Sequence, residues 1–261
     1  MYRPHFTIHP FAPLRAEASD TAEMVSQLMF GDMVEILAED RQWRHVRNQA
    51  DAYEGWVDHK ALVEVDEAWL SSVTSWNYLF ADSLKAQLKH DNGVEVLPLI
   101  LGARIPQIAG TSLKELDLGG VSIVFPQDYE AEANWAPNQI AALSAKYLGT
   151  PYLWGGKSLA GIDCSGLTQM VYAMCGIQLP RDAAQQVEIG TEVDFEARKE
   201  GDLAYFAKPG GKVTHVGIVL AGNEIRHAAG NVHDDLLNSE GIQRKYTGKQ
   251  THRLVSIKRI F

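Results

Sequence analysis

The sequence predicts an α+β chain in which one or two small β-barrels precede a C-terminal domain that opens with helices and closes in an antiparallel sheet. Three observations carry this expectation. Short apolar–polar alternations separated by turn residues fill the first half, apolar residues at helical spacing begin only past Pro126, and β-type runs return after about residue 200. Short strands at close spacing build barrels, and helices followed by antiparallel strands build an α+β domain. At about 100–200 residues per domain, the 261 residues allow one large domain or two to three small ones.

Residues 1–66 read as the first barrel. Gly31-Asp32 marks a turn, side chains alternate from Met33 to Leu37, and Trp43-Arg44-His45-Val46-Arg47 and Gly55-Trp56-Val57 continue the pattern. Residues 67–130 read as a second barrel-like domain, with strands over 95–101, 105–108 and 121–125 and with Gly102, Pro106, Gly110 and Gly119-Gly120 as punctuation. The third domain runs from 131 to 261. Pro137 sits in the first turn of a helix whose apolar face holds Ile140, Leu143, Tyr147 and Leu148, and Gly149 and Pro151 end it. A glycine-rich loop then leads to a second helix over about 164–175, carried by Leu167, Met170, Val171 and Met174.

Composition removes several classes of function. With 24 basic and 33 acidic side chains the net charge is −9, which argues against a nucleic-acid binder because phosphate neutralisation needs a basic face. A content of 46% hydrophobic and 22% charged residues belongs to a folded chain and not to a disordered one. The longest apolar stretch, Val96 to Leu101, falls far short of the ~18–20 residues of a membrane helix. The N-terminal residues show no secretory pattern, so a cytoplasmic location is expected. Cys164 and Cys175 are eleven residues apart in one helix, roughly 16 Å at ~1.5 Å per residue, too far for a disulfide. Two free thiols suit a reducing compartment.

Cys164 falls at or beside a helix N-terminus, where unpaired N–H groups and the positive dipole end stabilise a thiolate and can bring its pKa to ~3.5–7.5. Such a nucleophile needs a general base close by. Val213 to Leu220 and Glu224 to Ala228 read as strands joined around Ala221-Gly222-Asn223, and a hairpin centred near residue 221 puts His215 and His227 opposite one another on one face. Two paired imidazoles can serve as a base and the group that orients it. Other motifs fail. Gly156-Lys157-Ser158 lacks the leading glycine of a phosphate-binding loop, no Cys/His set has zinc-finger spacing, and a metal shared by His227 and His233 is set aside, so neither metal nor cofactor is expected. His5, His9, His45, His59, His90 and His252 read as surface or packing residues.

Six motifs in order, YLGTPYLWGG (147–156), DCSGL (163–167), LPRDAAQQ (179–186), EGDLAYF (200–206), HVGIVL (215–220) and IRHA (225–228), resemble the NlpC-type cell-wall peptidase family of papain-like cysteine enzymes. The resemblance covers residues 137–260. It implies Cys164 as nucleophile, His215 as base, His227 as the group that orients the base, and Tyr152 with the Cys164 N–H as oxyanion donors. Residues 24–37, 43–46 and 52–57 resemble bacterial Src-homology-three-like domains. Chains that join such domains to an NlpC-type domain resemble γ-D-glutamyl-L-diamino-acid endopeptidases acting on muropeptides with a free N-terminal L-alanine, and this implies that Asp163, Ser165, Tyr53 and Glu23 meet the free amine. A monomer without nucleic-acid or membrane partners is expected. A papain-like acyltransferase or amidase and an idle wall-peptide binding module are the alternatives, and an intact Cys164, His215 and His227 set speaks against the second.

Overall fold

The computed structural model describes residues 4–108, 113–127, 129–130 and 132–261, and the chain divides into two compact units, Met1–Asn134 and Trp135–Phe261. Gly110 lies outside the described residues.

In the first unit, seven strands form one sheet in the spatial order Met24–Met29, Phe11–Arg15, Glu54–Asp58, Trp43–Asn48, Met33–Asp40, Pro4–Thr7, Leu62–Glu64. Alternate side chains of these strands, among them Leu14, Leu28, Val34, Val46 and Val57, form a small buried cluster. A four-stranded sheet follows, ordered Gly93–Ile100, Ser83–His90, Val121–Val124, Glu115–Asp117, together with a two-stranded ribbon of Arg104–Ile108 and Val73–Tyr78. The larger core of this unit mixes Phe6 and Met33 from the first sheet and Phe30 from the turn between its strands with Leu97, Leu99, Ile105 and Ile123. Sheets this small bury enough apolar surface only by sharing a core.

Among the elements here that have no counterpart in the sequence reading are a helix and two strands. The Glu67–Ser72 helix is capped by Asp66, whose carboxylate accepts from the Trp69 N–H at 2.7 Å. The Val73–Tyr78 strand is apolar mainly at its ends. Ser83–His90 is built of Leu, Lys, Ala and Gln, residues that favour helix, yet Leu84, Ala86 and Leu88 alternate into the core and the register from Ser83↔Ile100 to His90↔Gly93 holds the segment extended.

Gly31 ties the seven-stranded sheet to the two-stranded ribbon. Its φ is +85°, its N–H donates to the Thr7 carbonyl at 3.0 Å, and the N–H of Arg104 on the facing strand donates to the Phe30 carbonyl at 2.7 Å. A Cβ on Gly31 would lie 1.8 Å from the Arg104 carbonyl oxygen.

The second unit begins with a run of helical turns, Pro137–Gln139, Ile140–Ser144 and Ala145–Tyr147, that buries Ile140, Leu143 and Tyr147. Leu148 departs from the expected apolar face. It is 48% exposed, because the backbone leaves helical geometry there (ψ 133°) and carries the side chain outward. The Cys164–Met174 helix is buried along its whole length, and Cys175 is its C-cap. Both cysteines are free thiols, as expected. Six antiparallel strands, Leu203–Ala207, Val213–Leu220, Glu224–Ala229, Asn231–Asn238, Gly241–Gln243 and Gln250–Arg259, close into a barrel because the last pairs with both the first and the fifth. No helix among the described residues is long and apolar enough to cross a membrane.

Gly31→Ala is expected to cost about 1–3 kcal/mol from the left-handed backbone alone, with the overlap on Arg104 adding to it. Thermal unfolding of the Met1–Asn134 unit should move to lower temperature, and an unchanged midpoint would contradict this packing.

Candidate active site

Cys164 is the first residue of its helix. Asp163 caps that helix: its Oδ1 accepts from the Gly166 N–H at 2.7 Å, and its Oδ2 accepts from the Gly155 N–H at 2.8 Å, which fastens the glycine-rich loop to the helix start. The Arg181 guanidinium, 1% exposed, grips both carboxylate oxygens at 3.0 and 2.7 Å and reaches Ser165 Oγ at 3.0 Å. A two-pronged ion pair of this kind holds a buried carboxylate that would otherwise be costly. Asp163 and Ser165 therefore sit beside the sulfur as expected, but both already belong to Arg181.

The helix tip faces the Val213–Leu220 strand, and the Val216 N–H, next along from His215, hydrogen-bonds the Cys164 sulfur. Burial, and after it the Asp163 carboxylate, push the Cys164 thiol up to about 12, although the Val216 and Ser165 N–H groups and Arg181 pull the other way. The expected drop to a low thiolate pKa is thus corrected: with 7% exposure, loss of water around the sulfur outweighs the helix-end field. His215 is likewise held well below its ordinary value, first by burial and then by its neighbours His227 and His252. Without substrate, burial thus pushes both the thiol and the imidazole toward their neutral forms.

The hairpin register also differs from expectation. Pairing runs Ile218↔Arg226, Val219↔Ile225, Leu220↔Glu224, so the turn takes three residues centred on Gly222 (φ +70°) and not on Ala221. His215 and His227 are diagonal neighbours on one face and not direct partners. Diagonal spacing still lies within reach of aromatic side chains, and the rings meet edge to face with His215 Nε2 2.9 Å from His227 Nδ1.

Behind His227 stands a residue that the sequence reading missed. His227 Nε2 lies 3.3 Å from Asp235 Oδ2, and the carboxyl is 1% exposed. His233, the cross-strand partner of His227, places Nε2 3.2 Å from the same oxygen, and Arg244 approaches within 3.5 Å. His227, His233 and Asp235 gather donor atoms within 4.8 Å, as a metal site would, but the cation drawn to them is the Arg244 guanidinium, which donates to His233 Nε2. Period-two spacing in His233-Asp234-Asp235 was the signal available for Asp235. His252, read from the sequence as a surface or packing residue, packs at the site itself: its ring stacks on His215 at 4.3 Å. A cavity of about 360 Å³ opens beside these two rings, lined also by Lys208, Thr214 and Thr251.

Tyr152 is anchored by its N–H on the Gly230 carbonyl at 2.8 Å. Burial, then the nearby Cys164 and Asp163, push its phenol up to about 12, so it remains a hydrogen-bond donor close to the sulfur. Tyr53 and Glu23 belong to the first unit, where Tyr53 packs half-buried on the small cluster and Glu23 is exposed.

Comparison with known proteins follows the same outline. Residues 149–251 match the NlpC/P60 family, and residues 14–62 match the bacterial dipeptidyl-peptidase Sh3 domain. Over 220 residues, 78% of this chain and 71% of the relative, the sequence is 30% identical to the gamma-D-glutamyl-L-lysine dipeptidyl-peptidase of Bacillus subtilis. The chain belongs to the NlpC/P60 family. Dipeptidyl-peptidase 6 of Lysinibacillus sphaericus is 27% identical over 82% of this chain and 87% of its own. The crystal structure of an NlpC/P60 family protein from Bacillus cereus shares the fold with TM-score 0.79 at 19% identity, covering 98% of this chain and 99% of that one.

Arg181→Ala leaves Asp163 as an uncompensated buried charge and is expected to destabilise the Trp135–Phe261 unit by about 3–5 kcal/mol. Its thermal midpoint should fall accordingly; an unshifted midpoint would mean that the ion pair does not hold the helix tip.

Proposed function

We propose that this protein is a cysteine endopeptidase that hydrolyses the γ-D-glutamyl–L-diamino-acid bond of peptidoglycan-derived peptides with a free N-terminal L-alanine. The observation that carries the reading is the Cys164 sulfur at a buried helix tip, hydrogen-bonded by the Val216 N–H next along from His215, with His215 Nε2 2.9 Å from His227 Nδ1. The name of the Bacillus subtilis relative supports the bond, and that of the Lysinibacillus sphaericus relative supports a peptidase.

In this reading His215 accepts the thiol proton as the Cys164 sulfur attacks the γ-carbonyl of D-glutamate. The two groups are neutral before substrate arrives, so charge develops only in the transition state, where buried donors act most strongly. The Cys164 N–H, free of the helix ladder at its first residue, and the Tyr152 hydroxyl stabilise the oxyanion. The His215 imidazolium then gives its proton to the α-amine of the departing diamino acid, which leaves past the cavity beside His215 and His252. Water, deprotonated by His215, hydrolyses the thioester. Selection of the free alanine amine is the part of the proposal that rests on family resemblance.

Cys164→Ala should abolish cleavage of L-Ala-γ-D-Glu-L-diamino-acid peptides, followed by mass spectrometry, with the thermal midpoint retained; residual turnover above about 1% would remove the nucleophile assignment. In the same assay a blocked N-terminal alanine should suppress cleavage, and equal cleavage of blocked and free peptides would remove amine selection while leaving the peptidase. The acid limb of kcat/KM reports His215 in the free enzyme, which must be neutral to act as base. Because burial lowers it, activity should persist below pH 6.5 and fall only as the pH drops further, whereas the Cys164 thiol, at about 12, adds no limb of its own up to about pH 9. An acid limb at or above 6.5 would contradict the buried neutral pair.

A further inference from the structure

We infer that Asp235 is a positioning residue for the reaction: by holding the proton of His227 on Nε2 it sets the tautomers of both imidazoles and leaves the lone pair of His215 on the nitrogen that serves as base. The inference rests on the proposed roles of Cys164, His215 and His227 and extends them by one residue.

An imidazole differs from other orienting groups in that each nitrogen can donate or accept. The 2.9 Å contact between His215 Nε2 and His227 Nδ1 is therefore satisfied equally by two arrangements. In one, His215 Nε2–H donates and the lone pair of His215 lies on Nδ1. In the other, His227 Nδ1–H donates, the lone pair of His215 is consumed inside the pair, and Nδ1–H offers the thiol no base. The rings alone do not choose.

Asp235 chooses. A carboxylate oxygen accepts only, and Oδ2 lies 3.3 Å from His227 Nε2, so that nitrogen carries hydrogen and Nδ1 of the neutral ring must accept from His215. The carboxyl remains ionised: burial raises it, but the Lys245 N–H and the His227 contacts overcome that and bring it below its usual value. Its orientation is locked because Oδ1 accepts from the Lys245 N–H at 3.1 Å. The other groups that face it keep the same polarity. Arg244 lies 3.5 Å from Oδ2 and also donates to His233 Nε2, and the His233 Nδ1–H is spent on the Asn231 carbonyl at 2.9 Å, so of the two imidazoles that approach Oδ2, at 3.2 and 3.3 Å, His227 is the one with a proton to give it. His252 lies near enough for Asp235 to act on it through space.

Asp235→Asn is the sharp variant. The Lys245 N–H claims the amide oxygen, which turns the amide NH₂ toward His227 Nε2; that nitrogen must then accept, and both rings flip to their Nδ1–H forms. The wild type is read first by two-bond ¹⁵N–¹H spectra of histidine-labelled protein, where His215 and His227 should both be Nε2–H tautomers. The Asp235→Asn protein should show both as Nδ1–H, with kcat reduced about 10²–10⁴-fold, the scale set by a wrong-tautomer triad, and KM within about threefold. Asp235→Ala, which opens the site without imposing a donor, should recover activity with added formate. A wild-type His215 protonated on Nδ1, or a folded Asp235→Asn enzyme with kcat within about threefold of wild type, would overturn the inference. The spectra need no substrate, so failure of the peptide to be cleaved by the wild type counts against the proposed activity and not against the tautomer assignment.

Discussion

The 2.9 Å hydrogen bond between His215 and His227 is the constraint on which the C-terminal unit depends. It exists because a three-residue turn centred on Gly222 sets two strands in a register that makes the rings diagonal neighbours. The sheet keeps that register because Leu203–Ala207 and Asn231–Asn238 flank the two strands of the hairpin, leaving neither at an edge where it could slip. Closure also buries the rings, with His227 wholly and His215 nearly out of solvent. Burial is what makes both imidazoles neutral at ordinary pH.

At the other side of the reaction centre, the helix tip is fastened by Asp163 through its own cap, the glycine-rich loop and Arg181. A nucleophile at the end of a helix is only as well placed as that end. Here one carboxylate fixes the helix start and the loop that carries Tyr152 toward the sulfur, while the guanidinium that neutralises it comes from the LPRD segment. The field of the helix end is present, but the water that would solvate a thiolate is not, so the sulfur waits as a thiol until a substrate carbonyl takes up its charge.

Much of this was readable along the chain. Cys164 at a helix start follows from the apolar spacing of Leu167, Met170 and Val171, and the His215–His227 hairpin follows from two apolar runs around Ala221-Gly222-Asn223. Less readable were the elements whose side chains contradict their conformation. Ser83–His90 has helix-forming composition and becomes a strand because an eight-residue pairing and the shared core outweigh local preference. His252 was passed over because it lies on the last strand, far along the chain from the histidine hairpin, and Asp235 because it lies on the strand after that hairpin and reaches His227 only through the pairing of the two strands.

By itself the sequence determined the chemistry on offer: one thiol at a helix start, two imidazoles on one ribbon, no basic face for nucleic acid and no apolar span for a bilayer helix. These depend on residue type and short-range spacing, which local geometry translates directly. The tertiary structure alone decided the protonation state of the thiol and imidazole, the diagonal meeting of the histidines, the pairing of Asp163 with Arg181 and the place of Asp235 behind His227. Burial, strand register and barrel closure bring together groups distant in sequence, and the energy of a charge or a proton is set by those surroundings and not by its neighbours along the chain.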